Sequence, residues 1–225
     1  ASLYAFIFGN VASLFSNIDA RKTEYWNNID SVMQYFNFRN VPRKVAGQVR
    51  DYYEYMWAQK RGLKEDNLLR DLPEPLQLQL MQHLAKDLLT EVPLFKYSSP
   101  YLKDVLLKCM RNETYPPGVE IVKEGEVGKD IYFISMGAAV VITDGGKTQH
   151  CTLGSGEYFG DLSMLLKEKR TGSVKTVSYC EVFILTGEKF DEIKQTYKEF
   201  KSVMAKMSAE KSEKMAALLL EGVIL

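Results

Sequence analysis

The chain is poor in the residues that build metal centres and disulfide frameworks. Its 225 residues include three cysteines and two histidines. Cys109, Cys151 and Cys180 are widely spaced, follow no zinc-ligand pattern and form no even disulfide framework. We therefore expect reduced thiols, as in a cytosolic compartment. His83 and His150 are too far apart in the sequence for a histidine metal cluster, and we expect both to be structural or solvated.

The chain also has no excess charge of either sign. Its 29 Lys and Arg are balanced by 29 Asp and Glu. A protein without a net positive charge is not a general binder of nucleic acid or of anionic membrane surfaces. The hydrophobic content of 46% and charged content of 26% are typical of a globular protein, long enough for one large or two small domains.

The apolar N-terminal stretch 1–15 is shorter than the roughly 20 residues that a membrane-spanning helix needs. It has neither a basic segment before it nor a small-residue cleavage site after it, so it does not predict a signal peptide. We interpret it as the cut end of a longer apolar helix. The alternative is a buried N-terminal helix of a soluble domain.

Between residues 19 and 89, apolar residues recur at helical spacing, which indicates a series of packed helices. Asp19 is a plausible N-cap and Pro42 a plausible first residue of the second helix, which Gly62 ends. A short helix is predicted over 65–71 and a longer one over 75–89. The stripes that we expect to face the core are Tyr25, Ile29, Val32, Met33 and Phe36; Val45, Val49, Tyr52, Tyr53 and Met56; and Leu76, Leu80, Leu84 and Leu88.

Residues 93–97 are predicted to form a connector, and Ser99 followed by Pro100 marks a new helix start. From Arg111 onward, short strand-like runs alternate with Gly and Pro turns, which favours an antiparallel sandwich or roll. The predicted class is therefore α+β, a helical region followed by a β-roll flanked by helices. The predicted strands are 120–123, 131–135, 138–143, 149–153 and 178–185.

Helical patterning returns after Thr186, a fair N-cap. A stripe formed by Phe200, Val203, Met204 and Met207 is followed by the polar stretch 208–214. That stretch is either a solvated turn or the middle of a helix that faces a polar ligand. Between the predicted strands, Asp144-Gly145-Gly146 is a hairpin signal.

Residues 156–173 are typical of a loop that holds a phosphate. Gly160 allows the backbone to approach a ligand closely, and 161–166 is fit for one or two helical turns whose first N–H groups favour an anion. Arg170 follows with a planar cation suited to phosphate oxygens. Ser163 and Thr171 can donate hydroxyls, and Asp161 can accept from sugar hydroxyls.

The run Phe159-Gly160-Asp161-Leu162-Ser163-Met164, followed by Arg170-Thr171-Gly172, resembles the phosphate-binding cassette of cyclic-nucleotide-binding domains. Asp161 stands where that family usually has Glu, and Gly172 stands where Ala is usual. Both changes preserve the chemistry, and each is expected to weaken affinity.

The order of helices, roll, cassette and closing helices is similar to the C-terminal half of cyclic-nucleotide-gated and hyperpolarisation-activated channels. Segments that carry this resemblance are Phe8–Ser13, Met33–Arg39, Arg50–Trp57, Leu69–Pro73, Lys123–Gly128 and Ile131–Ile134. It implies the end of the pore inner helix over 1–18, a helical C-linker over 19–96 and a nucleotide-binding domain over 97–225. Within that domain, the roll is expected over about 111–186 and the closing helices over about 187–220.

The resemblance also implies the ligand site. Its members would be Phe159, Gly160, Asp161, Leu162 and Ser163 in the cassette turn, Arg170 and Thr171 after it, Val122 and Val140 on the roll, and Lys211 and Met215 on the closing helix. Met215 stands where cyclic-GMP-selective channels tend to have Asp. The methionine favours cyclic AMP as the ligand, although Thr171 also suits cyclic GMP.

By the same resemblance, the chain would be a cytoplasmic region of a channel in the cell membrane. It would form a homotetramer through the C-linker, attach to the membrane through upstream pore helices, and use a regulatory nucleotide rather than a cofactor. A nucleotide-responsive transcription factor and a kinase regulatory subunit are the alternatives. The sequence offers neither a nucleophile–base pair nor the histidine-rich metal site of a cupin-type enzyme, so we predict a non-enzyme that does not bind nucleic acid.

Overall fold

The computed structural model describes residues 22–60, 72–166 and 168–220, with side chains described except at 165, 166 and 211–220. The chain forms two compact units, 1–71 and 72–225. The predicted end of the pore inner helix, the Asp19 cap, the Gly62 helix end and the short helix 65–71 lie outside the described residues. The predicted boundary after residue 96, between the C-linker and the nucleotide-binding domain, is a division by function and stays a prediction.

In the first unit, residues 22–38 are helical (α1) and a second helix, α2, spans Arg43–Lys60. Ile29 and Met33 of the predicted stripe are buried. The two helices meet at Tyr25, whose hydroxyl donates to the carbonyl oxygen of Tyr53 at 2.8 Å and whose ring lies 4.9 Å from that of Trp57. The aromatic residues therefore join α1 to α2. The prediction that the stripe of α2 faces the core is wrong, because Val45 is 44% exposed and no residue of α2 is buried.

Helix α2 begins one residue later than predicted. Pro42 precedes it, and the Pro42 carbonyl accepts from the amide of Ala46 at 3.1 Å. Proline thus stands just outside the helix, where its missing N–H costs no hydrogen bond.

The second unit starts with four helices: α3 at Glu74–Leu84, α4 at Lys86–Glu91, α5 at Pro93–Lys96 and α6 at Pro100–Cys109. The predicted single helix 75–89 is wrong, because the backbone leaves helical geometry at Ala85 with φ −95° and ψ 17°. The predicted core stripe is divided as a result. Leu88 is fully buried, whereas Leu76, Leu80 and Leu84 are 49%, 39% and 49% exposed.

The predicted connector 93–97 is instead the short helix α5, whose Leu94 and Phe95 are buried in the core. The predicted start of α6 is confirmed. The Ser99 hydroxyl oxygen accepts from the amide of Leu102 at 3.2 Å, and Pro100 occupies the first helical position.

Two four-stranded antiparallel sheets form the roll, in the orders β1-β8-β3-β6 and β2-β7-β4-β5. The α+β class is confirmed. The strands are β1 Arg111–Tyr115, β2 Glu120–Val122, β3 Asp130–Met136, β4 Ala139–Thr143, β5 Thr148–Leu153, β6 Tyr158–Phe159, β7 Ser173–Thr176 and β8 Cys180–Thr186.

Three of these strands, β1, β6 and β7, are absent from the sequence prediction. β1 is polar in sequence and pairs along its whole length with β8, while β6 is only two residues long. Their pairing depends on distant strands, which local patterning does not report. The predicted hairpin is confirmed: Thr143 pairs with Thr148 across the turn, and Gly145 and Gly146 have φ of 66° and 93°.

Alternate residues of β3 face two different cores. Ile131 and Phe133 pack with the helices, whereas Tyr132 and Ile134 pack inside the roll. This follows from the opposite directions of successive side chains in a strand. The cassette therefore lies against a strand that is buried on both faces.

After the roll come α8 at Gly187–Thr196 and α9 at Lys198–Leu220; the cassette helix, α7, spans Asp161–Leu166. Thr186 caps α8 as predicted, accepting from the amide of Lys189 at 3.4 Å. The predicted core stripe of α9, from Phe200 to Met207, is buried. Because α9 is continuous through 208–214, the solvated-turn alternative is wrong.

In the described part of the chain, no helix is both long enough and apolar enough to cross a membrane.

Candidate functional site

The cassette starts at a tight backbone approach beside Gly160. Its φ of 88° lies in the left-handed region that favours glycine. A Cβ there would lie 2.5 Å from Nη1 of Arg170 and 2.8 Å from the carbonyl oxygen of Asp130. Glycine is thus required both by conformation and by space, and its approach to a ligand stays a prediction.

The Arg170 side chain is held by two backbone carbonyls. Nη1 donates to Gly160 at 2.7 Å and Nη2 donates to Asp130 at 2.8 Å, and Arg170 is only 7% exposed. Its Cζ lies 5.9 Å from the ring centroid of Tyr132, which in turn stacks on Phe159 at 4.9 Å with the rings 5° from parallel. The arginine is therefore placed by the backbone beneath it and by an aromatic pair beside it.

Burial lowers the pKa of the Arg170 guanidinium, while the Tyr132 hydroxyl and the Asp130 and Asp161 carboxyls oppose the shift. An arginine remains charged at neutral pH even so. The site therefore holds a buried, permanent cation at the end of the cassette, as required for binding a phosphate.

The loop before β3 closes over this cation. The amide of Arg170 donates to Glu126 at 2.7 Å, and the amide of Gly125 donates to the Arg170 carbonyl at 2.9 Å. A Cβ at Gly128 would lie 2.5 Å from Cβ of Ser163 and 2.9 Å from Cζ of Arg170. The sequence indicates Gly125 and Gly128 only as turn residues within the segment Lys123–Gly128 that carries the family resemblance. Their packing role, and that of Asp130 and Tyr132, appears only in the fold.

The predicted cassette side chains separate into two groups. Asp161 is 1% exposed and Ser163 is buried beside Arg170, whereas Leu162 is 41% exposed and Thr171 faces solvent. Phe159 is buried in the roll. The structure thus gathers Asp161, Ser163 and Arg170, and leaves Leu162 on the outer side of α7.

The two predicted roll contacts do not share a face. Val122 belongs to the buried cluster inside the roll, together with Phe159. Ala139 and Val141 of β4 contact that same cluster, so Val140 between them points the opposite way. Val141 of β4 pairs with Val174 of β7, which in turn pairs with Val122 of β2. Val141 is therefore the β4 side chain on the inner face. A strand of consecutive β-branched residues does not show in sequence which face is inner.

Lys211 and Met215 lie in α9, but their side chains are outside the described part of the structure. Just before them, Glu210 is anchored. The Tyr97 hydroxyl donates to Glu210 Oε1, and Lys96 Nζ lies 3.8 Å from that oxygen. The start of the predicted closing segment is thus tied to the chain that follows α5.

The two histidines and three cysteines take no part in this site. His83 and His150 are exposed, and His150 Nε2 lies 2.7 Å from Thr143 Oγ1. All three cysteines are free thiols. Among the residues that the structure describes, no group of three or more His, Cys, Asp or Glu side chains could hold a metal ion.

Comparison with known proteins bears on this arrangement directly. The cyclic nucleotide-binding domain family matches residues 112–197, from β1 to the end of α8. The rabbit (Oryctolagus cuniculus) potassium/sodium hyperpolarization-activated cyclic nucleotide-gated channel 1 is 34% identical over 197 residues, which covers 88% of this chain and 22% of the relative. The human cyclic nucleotide-gated channel alpha-3 is 32% identical over 208 residues, 90% of this chain and 30% of the relative.

The chain belongs to the cyclic nucleotide-gated and hyperpolarization-activated channel family. The resemblance drawn from the sequence is confirmed. The chain spans only 22% and 30% of the length of these two relatives. The residues of this chain that match the cyclic nucleotide-binding domain family, 112–197, include the cassette and Arg170. Helix α9 lies beyond them.

Proposed function

We propose that this chain is the cytoplasmic gating region of a channel that is opened by a cyclic nucleotide, and that the nucleotide binds at the cassette. The observation that carries the proposal is the buried guanidinium of Arg170, fixed by Gly160 and Asp130 beside the first turn of α7. A buried guanidinium that keeps N–H donors beyond the two bound to carbonyls suits a singly charged cyclic phosphate. The family match over 112–197 supports the same ligand class.

Each residue of the site has a proposed role that its position supports. Arg170 has five N–H donors, and the two that bind backbone carbonyls fix its plane while others remain for the phosphate. Ser163, buried beside it, and Thr171 add hydroxyls. Asp161 at the start of α7 accepts from the ribose hydroxyl. On the inner face of the roll, Val122 and Val141 are better placed than Val140 to contact the base.

Gating then depends on the last helix. We propose that Lys211 and Met215 contact the base only when α9 closes. A ligand shifts an equilibrium only by its different affinity for the two states, and the closing helix supplies that difference. The tie between Glu210 and Tyr97 links this movement to the helices α3 to α5. Met215 lacks the carboxylate that would accept from guanine, which favours cyclic AMP over cyclic GMP.

The wider assembly is proposed from the relatives. Both are channels by name, so we propose a homotetramer at the cytoplasmic side of a cell membrane, attached through pore helices upstream of residue 1. The nucleotide acts there as a regulatory ligand, not as a cofactor, and the region catalyses no reaction.

Calorimetric titration of the chain with cyclic AMP and with cyclic GMP tests the binding step. We expect one site per chain and tighter binding of cyclic AMP. The gating step is tested on the full channel in excised patches, where cytoplasmic cyclic AMP is expected to increase the open probability. Binding without any change in current would favour a regulatory module of another kind, whereas no binding of either nucleotide would refute the proposal as a whole.

A further inference from the structure

A cavity lies beside the cassette helix, and Arg170 is not among its lining residues. Its volume is about 420 Å³, within the range of sites that hold small organic ligands. The aromatic rings of Phe190 and Phe200 lie in its wall, in edge contact with their centroids 5.1 Å apart. Leu162, Met204 and Ala205 add further apolar side chains, and Lys194, Lys201 and Ser208 are the polar residues of the lining. The cavity lies between α7, α8 and α9, and no residue of the β-strands lines it.

The exposure of Leu162 makes this cavity a site rather than a packing gap. Phe190, Phe200 and Met204 are buried, whereas Leu162, which also lines the cavity, is 41% exposed. An apolar occupant would cover Leu162 and gain the free energy of removing that surface from water. The shape and lining thus fit an alkyl chain or a similarly apolar body.

Two lysines define the charge of the occupant. Lys194 of α8 and Lys201 of α9 both line the cavity, and both are exposed. Lys194 Nζ lies 5.9 Å from the ring centroid of Phe190, so its ammonium group leans over the apolar lining. Within the described residues, no carboxylate comes within 4 Å of either ammonium group. An apolar space lined by two lysines that form no ion pair with a described residue is complementary to a molecule with one anionic end.

We propose that this cavity binds an amphipathic monoanion, an alkyl carboxylate whose chain packs on Phe190, Phe200, Met204 and Leu162 and whose carboxylate contacts Lys194 and Lys201. The cavity shares Leu162 with the cassette and is bordered by the closing helix α9, but Asp161, Ser163 and Arg170 are not among its lining residues.

Titration of the 225-residue chain with dodecanoate, below its micelle concentration and without nucleotide, tests the proposal. We expect saturable binding at one site per chain. Hexanoate is expected to bind at least tenfold more weakly because it covers less apolar surface. Dodecyltrimethylammonium, which has the same chain length but a cationic head, is expected not to compete. Equal binding of the anion and the cation would refute the role of the lysines.

Matched variants separate the cavity from nonspecific adsorption. Lys194→Ala combined with Lys201→Ala is expected to weaken dodecanoate binding at least tenfold, whereas Lys198→Ala, an exposed lysine of α9 outside the lining, is expected to leave it unchanged. Ala205→Trp fills the cavity from an exposed lining position and is expected to abolish binding. Ala209→Trp, one turn further along α9 and outside the lining, is the control for bulk. Equal binding by all of these variants would overturn the proposal.

An anionic lipid surface offers the same chemistry as a free alkyl carboxylate. Co-sedimentation with phosphatidylglycerol vesicles that is lost with both lysines but unaffected by Ala205→Trp would assign the lysines to a membrane surface and refute the cavity. Loss in both variants would support insertion of a lipid chain into the cavity. A parallel titration with cyclic AMP shows whether each variant keeps a folded nucleotide site, so failure of this proposal is distinct from failure of the proposed function.

Discussion

Asp130 joins the cassette arginine to the first closing helix. Its carbonyl oxygen accepts from Arg170 Nη2 at 2.8 Å, and its side-chain Oδ1 accepts from the amide of Gly187 at 3.2 Å. Gly187 is the first residue of α8 and packs so closely that a Cβ would lie 2.4 Å from the carbonyl oxygen of Lys129. Asp130 therefore contacts both the guanidinium of Arg170 and the first amide of α8.

Asp130→Ala separates these two contacts, because the carbonyl that binds Arg170 remains while the acceptor for Gly187 is lost. We expect the free energy of unfolding to fall by about 0.5–2 kcal/mol, as for the loss of a helix cap. We expect nucleotide affinity to change little and the nucleotide-induced movement of α9 to weaken. Urea unfolding, calorimetry and a distance probe on α9 measure the three quantities. A large loss of affinity with unchanged stability would contradict this role.

Arg170→Ala is expected to weaken cyclic AMP binding by about 2–5 kcal/mol, the usual cost of truncating one partner of a buried charge pair. Arg170→Lys keeps the charge but cannot reach both the Gly160 and Asp130 carbonyls in the same plane, so we expect an intermediate loss. Calorimetry gives the affinities, and urea unfolding shows whether each variant is folded. A well-folded alanine variant with unchanged affinity would disprove the phosphate role.

Asp161→Ala is expected to reduce affinity less than Arg170→Ala, because a hydrogen bond to a sugar hydroxyl contributes less than a contact with the charged phosphate. The test is a double comparison with 2′-deoxy cyclic AMP. The deoxy ligand should bind the native chain more weakly than cyclic AMP, but should show no further loss with Asp161→Ala. If the two losses simply add, Asp161 does not contact the ribose.

Met215→Asp is expected to raise the preference for cyclic GMP over cyclic AMP. The carboxylate can accept from the N1 and N2 hydrogens of guanine, whereas it would face the N1 acceptor of adenine unfavourably. The change should be larger in the ratio of efficacies in excised patches than in the ratio of affinities, because α9 contacts the base only after this helix has closed on the nucleotide. An unaltered ratio calls for the same substitution at Lys211, Ser212 and Lys214, which shows whether another position faces the base.

Gly160→Ala tests the close approach at the cassette. Alanine at a positive φ is expected to destabilise the fold by more than about 1 kcal/mol, and here its Cβ would also meet Arg170 and Asp130. Gly145→Ala is the control, because Gly145 has a φ of 66° but no atom within 4 Å of the position that an alanine Cβ would take. We expect both variants to lose stability in urea unfolding and only Gly160→Ala to lose nucleotide affinity. Equal affinities would show that the backbone at Gly160 does not position the arginine.

Much of the fold follows from local chemistry that the sequence states directly. Ser99 with Pro100 and Thr186 mark helix starts, and both hydroxyls accept the expected backbone hydrogen bonds. Capping and turn residues act within four or five positions, so their effect does not depend on the rest of the chain. The order of Gly160, Asp161 and Arg170 predicted the cassette for the same reason, because the phosphate loop is a continuous segment.

Only the tertiary structure decided the contacts between distant segments. The strands β1, β6 and β7 form because β8, β3 and β4 pair with them, and the pairing partner, not local propensity, determines whether such short strands exist. The face of Val140, the exposure of Leu76 and the neighbours of Arg170 likewise depend on strand register and on the break at Ala85. The sequence by itself determined which residue is the cation of the site; the fold decided that Asp130 and Tyr132 hold it in place.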